Sequence, residues 1–274
     1  MKIKTVYTII IAAFFLTALV ACARGADPDE SATSGSPDAA GSAQTETPGQ
    51  EETQTPMQPP TVEPRPTPSL APVQTANAPS GPNEYSSAEI GDTILFGGFN
   101  WLVIDVTEDS TLILSEKILE FMAYHNTPEE LTWEQCDMRE YLNGDFFENT
   151  FSDEEKALVL DSTLENDDNQ WFMTPGGNDT VDKVFSLSLG EVIRLFGDSG
   201  QLDEPEFDSW IGDEYNEARI GDDADDEPSW WWLRSPGRLN DLAVLVADDG
   251  FIFVAGAPII SDVMGLRPAL RLAR

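Results

Sequence analysis

Cysteine and histidine are nearly absent from the sequence, which contains two cysteines and one histidine. A structural zinc site of cysteine and histidine ligands needs four such residues and therefore cannot be assembled. His125 lies in the polar segment AYHNTPEE, a context more typical of a surface residue than of a catalytic base. Cys136 lies in the amphipathic segment TWEQCDMREYL, where we interpret a thiol as a small buried hydrophobic group. Chemistry that depends on an imidazole or a thiolate is therefore not expected.

Basic residues are also scarce. The chain has 15 lysines and arginines against 50 aspartates and glutamates, and its formal net charge at pH 7 is −35. A phosphate backbone requires clustered lysine and arginine, so nucleic acid is not expected as a partner. Such a charge keeps a protein soluble and repels anionic surfaces, and bound cations would relieve it.

Several catalytic and nucleotide-binding motifs are missing. The sequence has no Gly-x-Ser-x-Gly elbow, no His-Glu-x-x-His helix and no glycine-rich phosphate loop, and TPGGNDT at 174–180 is interpreted as a turn. Paired carboxylates for glycoside hydrolysis cannot be identified among so many acids, because the decisive quantity is their separation in space. We therefore expect a protein that is not an enzyme. An extracytoplasmic hydrolase that uses carboxylates of the 203–227 loop is the alternative.

The sequence opens with a short apolar run. Lys2 and Lys4 precede apolar residues over about 6–20, too few to cross a bilayer comfortably but typical of a secretory signal. The run ends in Leu-Val-Ala before Cys22, an order that resembles the lipobox of bacterial lipoproteins. The resemblance implies that residues 1–21 are a signal peptide and that Cys22 becomes a lipidated N-terminus. We therefore expect a cell-membrane lipoprotein on the extracellular or periplasmic face, held by its lipid anchor only, with no internal disulfide.

Residues 22–84 are rich in proline, threonine, serine and glutamate and have almost no aromatic or β-branched aliphatic side chains. Such a segment cannot bury enough apolar area to offset the entropy lost on ordering, so it is predicted to be a disordered tether. As a random coil it would span about 45 Å. Its expected task is to give a folded module reach beyond the membrane surface.

Residues 85–274 hold most of the tryptophan and phenylalanine and are long enough for one core. Apolar runs at 94–96, 101–106 and 112–114 predict short strands. The pairs Thr132 with Gln135, Ser152 with Glu155 and Ser188 with Glu191 then predict three capped helices, the last of which Gly197 would end. After an acidic, irregular stretch over 198–229, the chain returns to strands with an Asp-Asp-Gly hairpin turn at 248–250. This order predicts a single α+β domain with helices on an antiparallel sheet.

Three consecutive tryptophans, Trp230 to Trp232, stand out in WWWLRSPGR at 230–238. In a strand, Trp230, Trp232 and Arg234 would face one way and Trp231 the other. We favour a core in which one face packs on the helices, the other lies under the 198–229 stretch, and Arg234 pairs with a carboxylate. The alternative places Trp230 or Trp232 on the floor of a groove, with Arg234 and Arg267 gripping a ligand carboxylate. Those four residues are the predicted ligand-binding candidates.

The acidic stretch also suggests a metal ion. Calcium prefers six to eight hard oxygen ligands, and Asp222, Asp223, Asp225 and Asp226 offer carboxylates close together in the chain. No EF-hand frame fits, and acidic runs are more often solvated surface. We therefore expect no cofactor, and a calcium ion bound by these aspartates is the alternative.

Several segments together resemble an uncharacterised family of bacterial extracytoplasmic domains, whose members carry Trp-Trp-Leu-Arg-Ser-Pro-Gly and Gly-Val-Arg-Pro-Ala-Leu segments. Their counterparts here include GGFNWLVIDV, GGNDTVDKVFSLSLGEV, WWWLRSPG and GLRPALRL, and the resemblance covers about residues 88–273. The family has no established activity to carry over.

A more distant resemblance is to the C-type-lectin-like fold of formylglycine-generating enzymes. It rests on a tryptophan-rich strand before a hairpin and on a closing Gly-Leu-Arg segment, here Gly265 to Arg267. It implies that the closing strand pairs with the opening one, which would bring the two ends of the domain together on one sheet. The copper-binding cysteine pair of those enzymes is missing, so their chemistry does not transfer.

The sequence thus favours a membrane-anchored, monomeric lipoprotein that displays a C-type-lectin-like domain for binding an envelope glycan or a surface protein. Besides the hydrolase, a scaffold subunit of an envelope complex is a further alternative. Whether Trp230 and Trp232 are buried or exposed decides between the core and the groove interpretations.

Overall fold

A computed structural model describes residues 85–205 and 208–274 of the chain. The predicted signal peptide, the lipidation site Cys22 and the predicted tether all lie outside the described residues. Within them, helices and antiparallel sheets form an α+β fold. No helix among these residues is long and apolar enough to cross a membrane.

The regular elements of the described residues are short. The strands are β1 (Thr93–Phe96), β2 (Phe99–Val106), β3 (Ser110–Ser115), β4 (Glu120–Phe121), β5 (Ser162–Leu164), β6 (Thr180–Asp182), β7 (Val184–Phe185), β8 (Trp210–Ile211), β9 (Gly221–Asp222), β10 (Pro228–Ser229), β11 (Trp231–Pro236), β12 (Leu242–Val246), β13 (Ile252–Pro258), β14 (Gly265–Leu266) and β15 (Ala269–Ala273). The α-helices are Asp137–Tyr141, Phe147–Thr150, Asp153–Lys156, Leu189–Phe196 and Asn216–Arg219, with a π-helical turn at Leu142–Phe146 and 3-10 turns at Tyr85–Ser87, Trp133–Gln135 and Gln201–Asp203.

A five-stranded antiparallel sheet has the order β1-β2-β3-β15-β7. The three apolar runs predicted to be strands form β1, β2 and β3, which pair in sequence. All six residues of β3 are buried, and β15 pairs with its second edge in a register that joins Ala269 to Leu114 and Ala273 to Ser110. The closing strand therefore lies in the same sheet as the opening strand β1, as expected, but it pairs with β3 and β7 and not with β1.

A six-stranded sheet has the order β4-β14-β11-β12-β13-β8. Its β12–β13 hairpin turns at the predicted Asp-Asp-Gly, where Gly250 has φ +80°. A Cβ on Gly250 would lie 1.9 Å from the carbonyl oxygen of Asn216, so this turn requires glycine for space as well as for backbone conformation. The tryptophan strand β11 lies inside the sheet, between β12 and β14.

The closing segment belongs to both large sheets. Gly265 and Leu266 form β14 in the six-stranded sheet, and the chain then passes through Arg267 and Pro268 into β15 of the other sheet. The expectation of one closing strand from Gly265 onward is therefore divided between two strands. A proline at the crossing fits this change of sheet, because it cannot donate a ladder hydrogen bond.

The helical middle is less regular than predicted. Two capping boxes form as expected, with the Ser152 hydroxyl accepting from Glu155 N–H and the Ser188 hydroxyl from Glu191 N–H. The third pattern, at Thr132, precedes only a three-residue 3-10 turn. The helix from Leu189 ends at Gly197, whose φ is +135°.

The 198–229 stretch was predicted to be irregular, and that expectation is wrong for part of it. It contributes β8 to the edge of the six-stranded sheet, a helix that ends at Arg219, and the β9–β10 pair. Arg219 and Asp213 form a two-pronged ion pair whose side chains are 0 % and 1 % exposed. Asp213 is therefore an internal acid of this stretch, and its partner Arg219 also donates to the carbonyl of Gly197 at the end of the preceding helix, at 3.1 Å.

Candidate functional site

The tryptophan cluster is core at two of its three positions. Trp231 and Trp232 are 0 % exposed, and Trp230, just before β11, is half-buried and packs edge-on against Trp210. The Trp231 indole N–H donates to the carbonyl of Arg219 at 3.1 Å, so this ring lies under the 198–229 stretch. The Trp232 indole donates to the carbonyl of Met122 at 2.9 Å. Trp232 therefore has no surface to offer a ligand, and Trp230 has a partial one.

Arg267 is held inside the domain and is 4 % exposed. Burial lowers the pKa of its guanidinium to about 10, against the opposing effect of the nearby acids Asp222 and Glu116. The guanidinium lies 5.1 Å from the centre of a Trp231 ring and donates to the carbonyls of Ser115 at 3.1 Å and Ile220 at 3.2 Å. It joins the closing segment to two other elements, and its donors are engaged there.

Arg234 is also buried, with 3 % exposure. It pairs with the carboxylate of Glu191, as the core interpretation predicted, and its Nε donates to the Asn166 side-chain oxygen at 3.1 Å. Its remaining donors reach the carbonyls of Glu165 and Ser186, both at 3.1 Å. Arg234 thus ties three separate segments to β11.

The carboxylates considered for calcium do not converge. The Asp223 side chain accepts the backbone N–H groups of Asp225 and Glu227, and Asp226 forms an ion pair with Lys117. Asp222 lies in the β9 ladder. Among residues 85–205 and 208–274 there is no group of three or more histidine, cysteine, aspartate or glutamate side chains placed to hold a metal ion.

His125 and Cys136 lie near each other but do not form a reactive pair. Cys136 is 2 % exposed, and burial raises the pKa of its thiol to about 12, so the thiol stays protonated at neutral pH. The His125 ring is 3.1 Å from the carboxylate of Asp137. Burial opposes ionisation of Asp137, but hydrogen bonds from Asn126 and the contact with His125 outweigh it and lower the pKa of Asp137.

The WWWLRSPG segment and the SLSLGEV end of the GGNDTVDKVFSLSLGEV segment both line an open groove with a volume of about 650 Å³. We call it the motif groove. Its lining residues are Asn166, Asp167, Asp168, Asn169, Gln170, Ser188, Leu189, Gly190, Leu202 and Ser235. The groove therefore brings together a polar segment at 166–170, the start of the Leu189–Phe196 helix, and the strand that carries the tryptophans.

Buried hydrogen bonds hold the walls of the motif groove in place. The Ser235 hydroxyl accepts the N–H of Leu189 at 2.9 Å, which fixes the helix start on β11. The Asn169 amide, 1 % exposed, donates to the carbonyls of Pro236 at 2.8 Å and Val254 at 2.9 Å. Together with those of Arg234, these bonds link the segments that form the walls of the groove.

Several polar groups of the motif groove are unoccupied. Asp167 has no side-chain hydrogen bond to any described residue, and only one oxygen of Asp168 is used, by the N–H of Gly176 at 3.0 Å. The Gln170 side chain donates to the carbonyl of Leu202, and its own oxygen accepts no hydrogen bond from a described residue. The N–H of Gly190, in the first helical turn, has no acceptor within the described part of the chain. The groove can therefore both donate and accept hydrogen bonds.

A second open cavity, of about 500 Å³, lies beside the π-helical turn. Arg139 lines it, and its Nε donates to the buried carboxylate of Asp182 at 2.7 Å. That carboxylate also accepts from the Trp133 indole at 2.9 Å and the Thr180 hydroxyl at 2.8 Å. Because these polar groups satisfy one another, this cavity offers less to a ligand than the motif groove.

The motif groove was not among the predicted sites. Binding was predicted at large aromatic and charged residues, whereas small polar residues that neighbour them, such as Ser188 and Ser235, line the groove. A usable signal was present, because Ser235 follows Arg234 directly in one resembling segment and Ser188 lies in another. Their meeting in space could not be read from the chain.

Comparison with known proteins gives one result for the domain. A search of curated proteins and a search of solved structures each found no match. One family, a domain of unknown function (DUF6273), matches residues 108–274, which is more than half of the chain and includes every residue of the motif groove. The chain therefore belongs to the DUF6273 family.

Proposed function

We propose that this protein is a non-catalytic, lipid-anchored lipoprotein of the cell envelope that binds glycan in the motif groove. The observation that supports the proposal best is the set of unoccupied donors and acceptors on the walls of the groove. Sugar hydroxyls both donate and accept hydrogen bonds, so they match a groove that offers carboxylates, an amide oxygen and a backbone N–H. The domain is presented outside the membrane on the predicted tether, as a monomer.

We further propose that the domain is a C-type-lectin-like fold. The closing strand β15 lies beside β3 of the opening meander, and the tryptophan strand β11 comes directly before a hairpin. The second feature is one on which the distant resemblance rests, and the first agrees in part with what that resemblance implies. An experimental structure whose strand order matches that of C-type-lectin-like proteins would support this assignment, and a different order would refute it.

The glycan proposal is tested on an array of envelope polysaccharides and in cell-wall pull-downs. Asp167→Ala combined with Gln170→Ala removes two exposed groups of the groove, and we expect it to abolish retention while the melting temperature stays near that of the wild type. Asp262→Ala, an exposed acid outside the groove, is the matched control. Absence of binding by the wild type, together with turnover of a polysaccharide or peptide library, would instead favour the hydrolase.

The anchor is tested separately at Cys22. The wild-type protein should incorporate labelled fatty acid and partition with membranes, because more than one acyl chain gives stable anchoring. Cys22→Ser should lose both properties. A wild-type protein that carries no lipid would refute the anchor and leave the groove proposal to its own test.

A further inference from the structure

The hydrogen-bond acceptors and donors of the motif groove come from different segments. Residues 166–170 contribute acceptors, namely the exposed carboxylates of Asp167 and Asp168 and the side-chain oxygen of Gln170. Among the residues that the structure describes, no lysine or arginine lines the groove. The region next to Gln170 is acidic as well, since its side-chain nitrogen also lies 3.5 Å from a carboxylate oxygen of Asp203. This side of the groove therefore favours a ligand group that donates hydrogen bonds and carries positive charge.

The neighbouring cations do not neutralise these acids. Arg234, behind the groove, is 3 % exposed and is already paired with Glu191. Arg194 is exposed one helical turn beyond Gly190, but it does not line the groove. The negative charge of Asp167 and Asp168 thus remains available to a ligand, and its effect is strengthened by the acidic domain around it.

The second segment supplies an independent indication of a ligand. Ser188 and Ser235 line the groove with exposures of 6 % and 8 %, and each hydroxyl oxygen accepts one backbone N–H of the helix start. Neither hydroxyl hydrogen has an acceptor among the described residues. A buried hydroxyl normally uses its donor, so two unused donors beside the free N–H of Gly190 call for acceptor oxygens from outside the protein.

We infer that the motif groove selects glycans that carry free amino groups, such as units of non-acetylated glucosamine. This inference rests on the proposed glycan-binding function. The ammonium group would lie against Asp167 and Asp168, and ring and hydroxyl oxygens would accept from the serine and Gly190 donors. An N-acetylated sugar lacks the positive charge, and an acidic sugar would be repelled.

The test compares two oligosaccharides of equal length, one of glucosamine and one of N-acetylglucosamine, by calorimetry with the full-length protein in detergent micelles. We expect the glucosamine oligosaccharide to bind tighter on the order of tenfold, and added salt to reduce the difference. Asp167→Asn should bring the two affinities together. The Asp167 side chain has no hydrogen bond within the described residues, so this change should leave the fold intact, and Asp262→Asn should change nothing.

The outcomes separate this inference from the proposed function. Equal affinities for the two oligosaccharides in the wild type, or a preference that survives Asp167→Asn, would overturn the amino-sugar inference and leave glycan binding in place. Binding only of acetylated or acidic glycans on the array would overturn it as well. Absence of any glycan on the array would overturn both.

Discussion

The buried ion pair between Asp213 and Arg219 allows a sharp test of what stabilises the folded form of the acidic stretch. Replacing Asp213 by asparagine leaves the guanidinium of Arg219 without its counter-charge in a site with no exposure to water. Removing one partner of a buried pair costs about 3–5 kcal/mol, and we expect the lower end because asparagine keeps one acceptor oxygen. For a domain of this size each kcal/mol lowers the melting temperature by about 2–4 °C, so we expect a drop of about 6–12 °C.

Asp226→Asn is the matched control for this prediction. It breaks the ion pair with Lys117, whose partners are 37 % and 82 % exposed, and should cost about 1 kcal/mol or less. Asparagine also tolerates the positive φ of 61° at that position. Melting followed by circular dichroism measures both variants. A loss for Asp213→Asn no larger than that of the control would refute the reasoning.

The pH dependence gives the same pair a second readout. Burial opposes ionisation of Asp213, but hydrogen bonds from Arg219 and Ser199 outweigh it, so the folded-state pKa lies below the usual 3.8. A group whose pKa is depressed in the folded state contributes stability above its unfolded pKa and loses it as the pH falls through the folded pKa. The difference between wild type and Asp213→Asn should therefore be constant near neutral pH and shrink only below pH 3.8.

Three further predictions concern other parts of the domain. Gly250→Ala should lower the free energy of unfolding in urea by more than about 2 kcal/mol, because the new Cβ would meet the Asn216 carbonyl. Gly98→Ala is the control, since Gly98 has a similar φ but open space around it, and it should cost about 1 kcal/mol. Equal losses would contradict the steric argument. The Cys136 thiol should resist a disulfide-exchange reagent in the folded protein and react fully in concentrated guanidinium chloride, measured on a Cys22→Ser background; rapid labelling of the folded protein would refute its burial. Arg234→Lys should cost about 2–4 kcal/mol in urea unfolding, because lysine cannot serve the carbonyls of Glu165 and Ser186 together, and a loss below about 1 kcal/mol would show that these bonds matter little.

The opening and closing strands could be predicted because their signals are local. Apolar runs and turn residues mark β1 to β3, and Asp-Asp-Gly marks the β12–β13 hairpin. The helix that begins after Ser188 was equally clear, since both its cap and its terminal glycine lie within ten residues of each other. Such features depend on the backbone preferences of neighbouring residues and need no knowledge of the partner elements.

Other features depend on contacts that are distant in the sequence. The burial of Trp232 requires Met122, more than a hundred residues away, and the role of Arg219 depends on which of many nearby acids turns inward. The motif groove belongs to the same class, because its walls come from segments that only the fold brings together. The large aromatic and charged residues that were predicted to bind a ligand are mostly buried, and they stabilise the fold instead.

The central position of β15 has a consequence for biosynthesis. Residues 269–273 fill the gap between β3 and β7, and Arg271 faces Leu112 across a separation of about 160 residues along the chain. Until that strand has been made, β3 has an open edge and β7 has no strand through which to join the sheet. Folding of this sheet is therefore expected to be slow and to wait until residues 269–273 have been made. For the exported lipoprotein that we propose, such late folding would keep the chain unfolded during its passage through an export channel.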